Sequence, residues 1–337
     1  MKLLDIKNCP GTLAPGYRTY SPTALRRMFG GRKVDCWLDF TSDGGSRDRI
    51  DENIGRISIS GVQEKLSAVV EKGKICLTPQ GVQGCYILKP APDDRRLKHR
   101  SQMPANEHLT MQIARQVYGI ATAESALIFF QNGAPAYLTK RFDINADGTK
   151  SKQEDFASLA QKNSATHGKH FKYTGSYAHM GLLIKKYVAA WQVEMGKFFR
   201  QVLFNYVFAN GDAHLKNFSL RQSVNGDYLL SPAYDLLNTS LHICDENFAL
   251  EGGLFSREHY SEIYRHKGYP CKDDFWVFAQ MLGVPLAHAQ RVMKTFLANQ
   301  PQAYELTERS FLQPKLKRMY IRSYEERLSR LRRGSLL

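Results

Sequence analysis

Apolar residues repeat at strand spacing as far as about residue 145 and at helical spacing beyond it, and that change limits the fold more than any other feature of the 337 residues. Ile57 and Ile59 alternate with Ser58 and Ser60. Leu66-Ser67-Ala68-Val69-Val70 then runs to a turn at Glu71-Lys72-Gly73-Lys74, followed by Ile75-Cys76-Leu77, which reads as consecutive antiparallel strands. Tyr86 to Lys89 makes a further short strand, closed by Pro90 because proline has no N–H for a ladder. Ala126 to Phe130, the turn Gln131-Asn132-Gly133 and Ala136 to Leu138 read as a hairpin. Before that hairpin, Pro104 to Glu107 opens a stretch with Leu109, Ile113, Ala114 and Val117 at helical spacing, stopped by Gly119. The first stretch of the chain, broken by Pro10-Gly11, Pro15-Gly16, Gly30-Gly31 and Gly44-Gly45, reads as an irregular lead-in.

Past Asp143 the spacing predicts helices over 155–162, 179–190, 193–209, 273–282, 285–298 and 312–332. Only 217–220 and 228–231, joined by Val224-Asn225-Gly226-Asp227, read as strands there. The expected fold class is α+β, with a sheet-rich N-terminal lobe over 1–145 and a helical C-terminal lobe over 146–337 that carries one hairpin. This is the outline of a two-lobed, protein-kinase-like architecture with a nucleotide cleft between the lobes.

Lys and Arg number 47 against 32 Asp and Glu, a net charge of +15, so the surface attracts polyanions. The excess concentrates in Arg95-Arg96-Leu97-Lys98-His99-Arg100 and from Lys315 to Arg333, a pattern that solvated helix faces also produce. Six cysteines without a C-x-x-C pair imply neither a disulfide nor a zinc framework. No run approaches the ~18 apolar residues of a bilayer span, and Met1 to Pro10 lacks a signal-peptide core, so a cytoplasmic protein without membrane contact is expected.

The chemistry concentrates in Asn210-Gly211-Asp212-Ala213-His214-Leu215-Lys216-Asn217, which follows an aromatic helix and precedes a short strand. Phosphoryl transfer needs a carboxylate near the attacking hydroxyl and an amide oxygen on the metal, and Asp212 and Asn217 stand five positions apart, the spacing of a kinase catalytic loop. Asp235, beyond the expected hairpin, has the order and spacing of the second Mg²⁺ carboxylate. Lys89 ends a strand and Glu107 opens the next helix, as the phosphate-binding Lys and its Glu partner do. Each element alone has a structural reading, as a capped turn, an N-cap or a solvated strand end. Their joint occurrence in this order points to a phosphotransferase.

The pattern of eukaryotic protein kinases is not met, for there is no G-x-G-x-x-G, H-R-D, D-F-G or A-P-E. Instead Arg56 through Gly61-Val62-Gln63-Glu64-Lys65, Ile87-Leu88-Lys89-Pro90, Asn106-Glu107, Lys140-Arg141-Phe142-Asp143, Lys172-Tyr173, Gly211-Asp212 through Asn217-Phe218-Ser219 and Tyr234-Asp235 closely resemble the HipA-like serine/threonine kinases of bacterial toxin–antitoxin systems. The resemblance implies the HipA and phosphatidylinositol-kinase-like fold and phosphorylation of an aminoacyl-tRNA synthetase, which halts translation. It implies ATP and Mg²⁺, with Asp212 as catalytic Asp, Asn217 and Asp235 on the metal, Lys89 on the phosphates and His214 near the nucleotide. Lys140, Arg141 and Phe142 match the hinge that meets adenine, although the family usually begins it with Glu. About 56–65 would form the phosphate-covering loop, with Ser60, Gly61, Val62, Gln63, Glu64 and Lys65 against ATP.

Ser58 corresponds to the family's autophosphorylation site, and Ser58-Ile59-Ser60 resembles the doubled serine of the short HipT branch. A phosphate at Ser58 or Ser60 would pull the loop away by charge. With only about 50 residues ahead of Arg56, the chain resembles that branch, in which a separate small HipS-like protein supplies the N-terminal subdomain beside a helix-turn-helix HipB-like antitoxin. Those two are the implied partners, DNA being met only through the antitoxin. The HipT resemblance favours tryptophanyl-tRNA synthetase as substrate, with glutamyl-tRNA synthetase next. Two other readings stay open: a small-molecule or lipid kinase, whose loops are similar, and a catalytically silent subunit of a DNA-bound repressor complex.

Overall fold

The computed structural model describes residues 5–42, 63–79, 81–145, 147–244 and 246–334. They form two compact units: Met1–Ile113 with Ala123–Ile144 and Gln302–Arg318, and Ala114–Thr122 with Asn145–Pro301 and Met319–Leu337.

The first unit is built on five antiparallel strands, β1 (Leu66–Glu71), β2 (Lys74–Leu77), β3 (Tyr86–Lys89), β4 (Ser125–Phe129) and β5 (Pro135–Lys140), in the order β2-β1-β3-β5-β4. Lys72 and Gly73 both take positive φ, 48° and 77°, which gives the two-residue hairpin the twist its strands need and sets Glu71 against Lys74. In the β1–β3 pairing Leu66 stands opposite Leu88 and Ala68 opposite Tyr86, all four buried on one face. Gly84 is demanded by close approach, since a Cβ there would stand 2.2 Å from the Ala68 carbonyl oxygen.

β4 lies at the edge of the sheet yet is buried throughout. The N-terminal segment covers it. Phe129 N–H donates to Cys36 O at 2.9 Å, Leu38 N–H to Phe129 O at 2.7 Å, and Leu127 N–H to Pro10 O at 2.8 Å, which closes an edge that would otherwise pair with another chain. The lead-in is therefore less irregular than its sequence reads, and it contains helix α1 (Pro22–Phe29). Ser21 caps α1 by accepting from Ala24 N–H at 3.2 Å, Pro22 supplies the preset φ, and Gly30 stops it at φ 63°. Those cap signals were visible, but the density of turn formers masked an eight-residue helix. α2 (Met103–Gln116) is buried on nearly all sides from Pro104 to Ala114.

The second unit contains α3 (Phe156–Leu159), α4 (Ser164–His167), α5 (Tyr177–Tyr187), α6 (Trp191–Val207), α7 (Glu262–Lys267), α8 (Lys272–Leu282) and α9 (Leu286–Leu297). Its sheet has three strands, not the two expected: β6 (Gln153–Asp155) joins β7 (Ser219–Gln222) and β8 (Tyr228–Leu230) in the order β6-β7-β8. The expected helix over 155–162 shrinks to α3, because Asp155 ends β6 and then caps α3 by accepting from Ser158 N–H at 2.9 Å. The strand expected from Asn217 starts at Ser219, after a 3₁₀ turn over Leu215–Asn217. α6 forms the centre of this unit, its Phe198 ring 5.6 Å from Phe218 and 6.4 Å from Phe278. Buried Glu194 accepts from Lys197 Nζ at 2.7 Å and from Leu230 N–H at 3.1 Å, fastening β8 to α6. Near the end of the chain, α10 (Pro301–Arg309), absent from the sequence reading, precedes α11 (Pro314–Arg332). Among the described residues no helix is long and apolar enough to cross a membrane.

Candidate active site

The loop after α6 begins with Ala209 at φ 50°, a region sparsely allowed to a residue with a Cβ. Thr239 makes the turn tenable. Its N–H and hydroxyl donate to Ala209 O at 3.1 and 3.0 Å, while the same hydroxyl accepts from Gly211 N–H at 2.7 Å. Asn210 then ties the loop to Asp235: its Nδ2 donates to Asn205 Oδ1 at 2.9 Å and to Asp235 O at 3.4 Å, and its Oδ1 accepts from Asp212 N–H at 3.4 Å. Asp235 itself sits at φ 55°, a second unusual backbone conformation held within this network.

Asp212 O accepts from His214 N–H and from Asn217 Nδ2, both at 2.8 Å. A carbonyl oxygen can only accept, so the Asn217 atom facing it is the NH₂ end, and the amide oxygen points the other way. This oxygen and the Asp235 carboxylate are hard oxygen ligands of the kind Mg²⁺ takes, so the donor set fits that ion. The Asp212 side chain is 44% exposed, with Oδ1 accepting from the Tyr173 hydroxyl at 2.9 Å and lying 3.9 Å from His214 Nε2. Burial pushes His214 down to about 4, against the opposing pull of the Asp212 charge, so its ring is neutral at pH 7. His214 Nδ1 is buried without a hydrogen-bond partner among the described residues. Lys216 bonds Asp155 Oδ2 at 2.6 Å, and its carbonyl accepts from the Tyr234 hydroxyl at 3.0 Å, which steadies the segment before Asp235.

In the first unit Lys89 Nζ meets Glu107 Oε1 at 2.7 Å, each side chain 4% exposed, and the ammonium lies 5.2 Å from the centre of the Tyr137 ring. Gln63 Nε2 donates to Pro90 O at 2.9 Å, anchoring the described end of the 56–65 segment next to Lys89; Glu64 is exposed and Lys65 half-buried. Ser58, Ser60, Gly61 and Val62 lie outside the described residues. Lys140 N–H donates to Glu124 O at 2.8 Å and Arg141 N–H to Cys85 O at 2.9 Å, so neither N–H is available to a base in this conformation. The Arg141 side chain forms a fork with Asp143 at 3.0 and 2.6 Å, and Phe142 is half-buried between them.

The structure thus brings Lys89 to Glu107, and Asp212 to His214, Asn217 and, through Asn210, Asp235. Sequence reading assigned no role to Asn205, Asn210, Tyr173 or Thr239. Asn210 opens the loop that the sequence singles out, without a role of its own; Tyr173 stands 39 positions from Asp212 and Thr239 stands 28 from Gly211, separations that no local motif bridges.

Residues 57–304 match the family described as the HipA-like C-terminal domain. A Haemophilus influenzae protein named "Putative kinase" is 26% identical over 291 residues, covering 82% of each chain. A Sinorhizobium fredii protein named "Putative kinase Y4dM" is 31% identical over 211 residues, 58% of this chain and 48% of the relative. Among solved structures, HipA in the Shewanella oneidensis MR-1 complex of HipA, HipB and operator DNA superposes with a TM-score of 0.60 at 20% identity, over 81% of this chain and 63% of that one. The chain therefore spans less than two thirds of the solved HipA and about half of the Sinorhizobium relative, and with the former it shares the fold.

Proposed function

The chain belongs to the family of HipA-like C-terminal domains, and from that premise we propose that it is an ATP-dependent serine/threonine protein kinase, the toxin of a bacterial toxin–antitoxin module. The observation that carries this reading is the network that sets Asp212, Asn217 and Asp235 together in one unit through Asn210 and the Asp212 carbonyl. A substrate hydroxyl hydrogen-bonded to Asp212 is oriented toward the γ-phosphorus of ATP. As its oxygen bonds to phosphorus the P–O bond to ADP breaks, and the hydroxyl proton passes to the Asp212 carboxylate. Mg²⁺ held by Asn217 and Asp235 would supply charge neutralisation for the phosphate oxygens. This reading assigns Lys89, held by Glu107, to the ATP phosphates, and neutral His214 adds no charge beside Asp212.

The substrate of this reading is an aminoacyl-tRNA synthetase, tryptophanyl before glutamyl. The doubled serine Ser58-Ile59-Ser60 supports the HipT-like branch with autophosphorylation there, a HipS-like and a HipB-like partner, and DNA contact only through the latter. HipB and operator DNA accompany HipA in the Shewanella complex, which supports the antitoxin part of this assignment.

The test is transfer from γ-labelled ATP with Mg²⁺, using the protein alone and with each of the twenty aminoacyl-tRNA synthetases. Label on one synthetase and on Ser58 or Ser60 is the expected result. ATP consumed with no protein labelled would replace this reading by a small-molecule kinase. No consumption would leave a silent subunit of a repressor complex.

A further inference from the structure

Tyr173 belongs to the Lys172-Tyr173 pair that carries part of the family resemblance, with no role attached to it, and it reaches Asp212. It ends a 3₁₀ turn over Phe171–Tyr173 that is pinned on every side. Tyr173 O accepts from Glu251 N–H at 2.9 Å, and Lys162 Nζ holds Thr174 O and Oγ1 at 3.1 and 2.9 Å. Gly252 N–H donates to Gly175 O at 2.9 Å. The ring packs edge-on against His214 at 5.2 Å, with Lys172 Nζ 4.9 Å from its centre. None of these contacts uses the hydroxyl. The hydroxyl donates to Asp212 Oδ1 at 2.9 Å.

A carboxylate has two oxygens and about four acceptor positions, so one donor need not exhaust it. Here the division is by oxygen. Oδ1 is gripped by Tyr173 and lies on the side of His214, whereas Oδ2 carries no hydrogen bond among the described residues and the side chain stays 44% exposed. We infer that Tyr173 is a positioning residue, holding Asp212 by Oδ1 in the rotamer that presents Oδ2 to the substrate hydroxyl. The inference rests on the kinase reading of Asp212. Without the phenol, the carboxylate is free to turn about χ1 and χ2, and the orientation of the attacking hydroxyl is lost while the nucleotide still binds.

The deciding variant is Tyr173→Phe, which keeps the ring against His214 and every backbone anchor of the turn. With Mg²⁺·ATP as probe, ADP release and autophosphorylation are measured for wild type, Tyr173→Phe and Asp212→Asn, together with thermal unfolding. Tyr173→Phe is expected to lower kcat roughly ten- to a hundredfold, the worth of a hydrogen bond to a charged group, with KM for ATP and the unfolding midpoint nearly unchanged. A wild-type kcat, or a raised KM with kcat intact, would overturn the inference. Wild-type turnover in Asp212→Asn would overturn the kinase reading and the inference with it. An inactive Asp212→Asn beside a fully active Tyr173→Phe would remove the inference alone.

Discussion

Lys89 and Glu107 in the sheet-rich unit meet at 2.7 Å with 4% of each side chain exposed, whereas Asp212 in the helical unit is 44% exposed and is met by a phenol at 2.9 Å. The first arrangement cancels charge inside the protein. The second leaves charge available and fixes only its direction, using neutral donors. Each has its own weakness. A buried ion pair adds little net stability, yet losing one partner strands the other in low dielectric. A carboxylate held by dipoles loses little stability when its donors go, but it loses alignment.

The largest expected effect tests the second arrangement. Asp212→Asn keeps the size of the side chain and removes the base, and phosphate transfer should fall by about a thousandfold or more, read by labelled ATP, with thermal unfolding unchanged. A stable, fully active variant would mean that the exposed carboxylate is not the working group.

Breaking the pair in the other unit should act on stability. Lys89→Met removes the cation that buried Glu107 meets at 2.7 Å, with an expected loss of about 3–5 kcal/mol in urea denaturation. Lys89→Met with Glu107→Gln should recover most of that stability and none of the transfer. If the single and double variants unfold alike, the pair does not carry the charge balance of its unit.

Acid lability sharpens the comparison because both units share it. His108 Nε2 lies 3.4 Å from Gly11 O, and burial pushes this residue down to about 4, as it does His214. A depressed folded value means that the unfolded chain takes up the proton first. Stability is therefore complete above the ordinary value of about 6.5 and declines as pH falls toward 4, by on the order of 3 kcal/mol for each ring. Urea titrations from pH 7.5 to 4.5 should show this decline, and His108→Gln and His214→Gln should each flatten it. An unaltered slope in both would exclude these rings as its cause.

The smallest effect concerns the frame of the catalytic loop. Thr239→Val removes the hydroxyl that accepts from Gly211 N–H and donates to Ala209 O, and it should cost about 1–2 kcal/mol of stability and lower transfer severalfold. Wild-type values for both would show that the backbone holds Ala209 without it.

Much of this was legible in order and spacing. The hairpin at Lys72-Gly73, the strand closed by Pro90 and the Asp212, Asn217 and Asp235 series each rest on local rules; the structure has β1 to β5 near where the sequence predicts strands, and the alternation over 57–60 lies outside the described residues. Helix ends were less legible. The stretch near Asp155 satisfies helical spacing, but pairing with Arg221, Leu220 and Ser219 draws Gln153–Asp155 into a strand. Propensity is a weak prior, and a ladder of hydrogen bonds to a distant strand overrides it.

The sequence by itself determined which chemical groups are present, their order along the chain, and that a carboxylate and an amide stand five positions apart. It also determined the family. The pairing of Lys89 with Glu107 across 18 positions was expected from their order, but only the tertiary structure decided that Gly211 meets Thr239 across 28 and Asp212 meets Tyr173 across 39. The reason is physical. Local backbone sterics and side-chain periodicity act over a few residues and are written in consecutive letters. Hydrogen bonds between distant segments depend on how whole elements pack, and no single stretch of sequence contains that information.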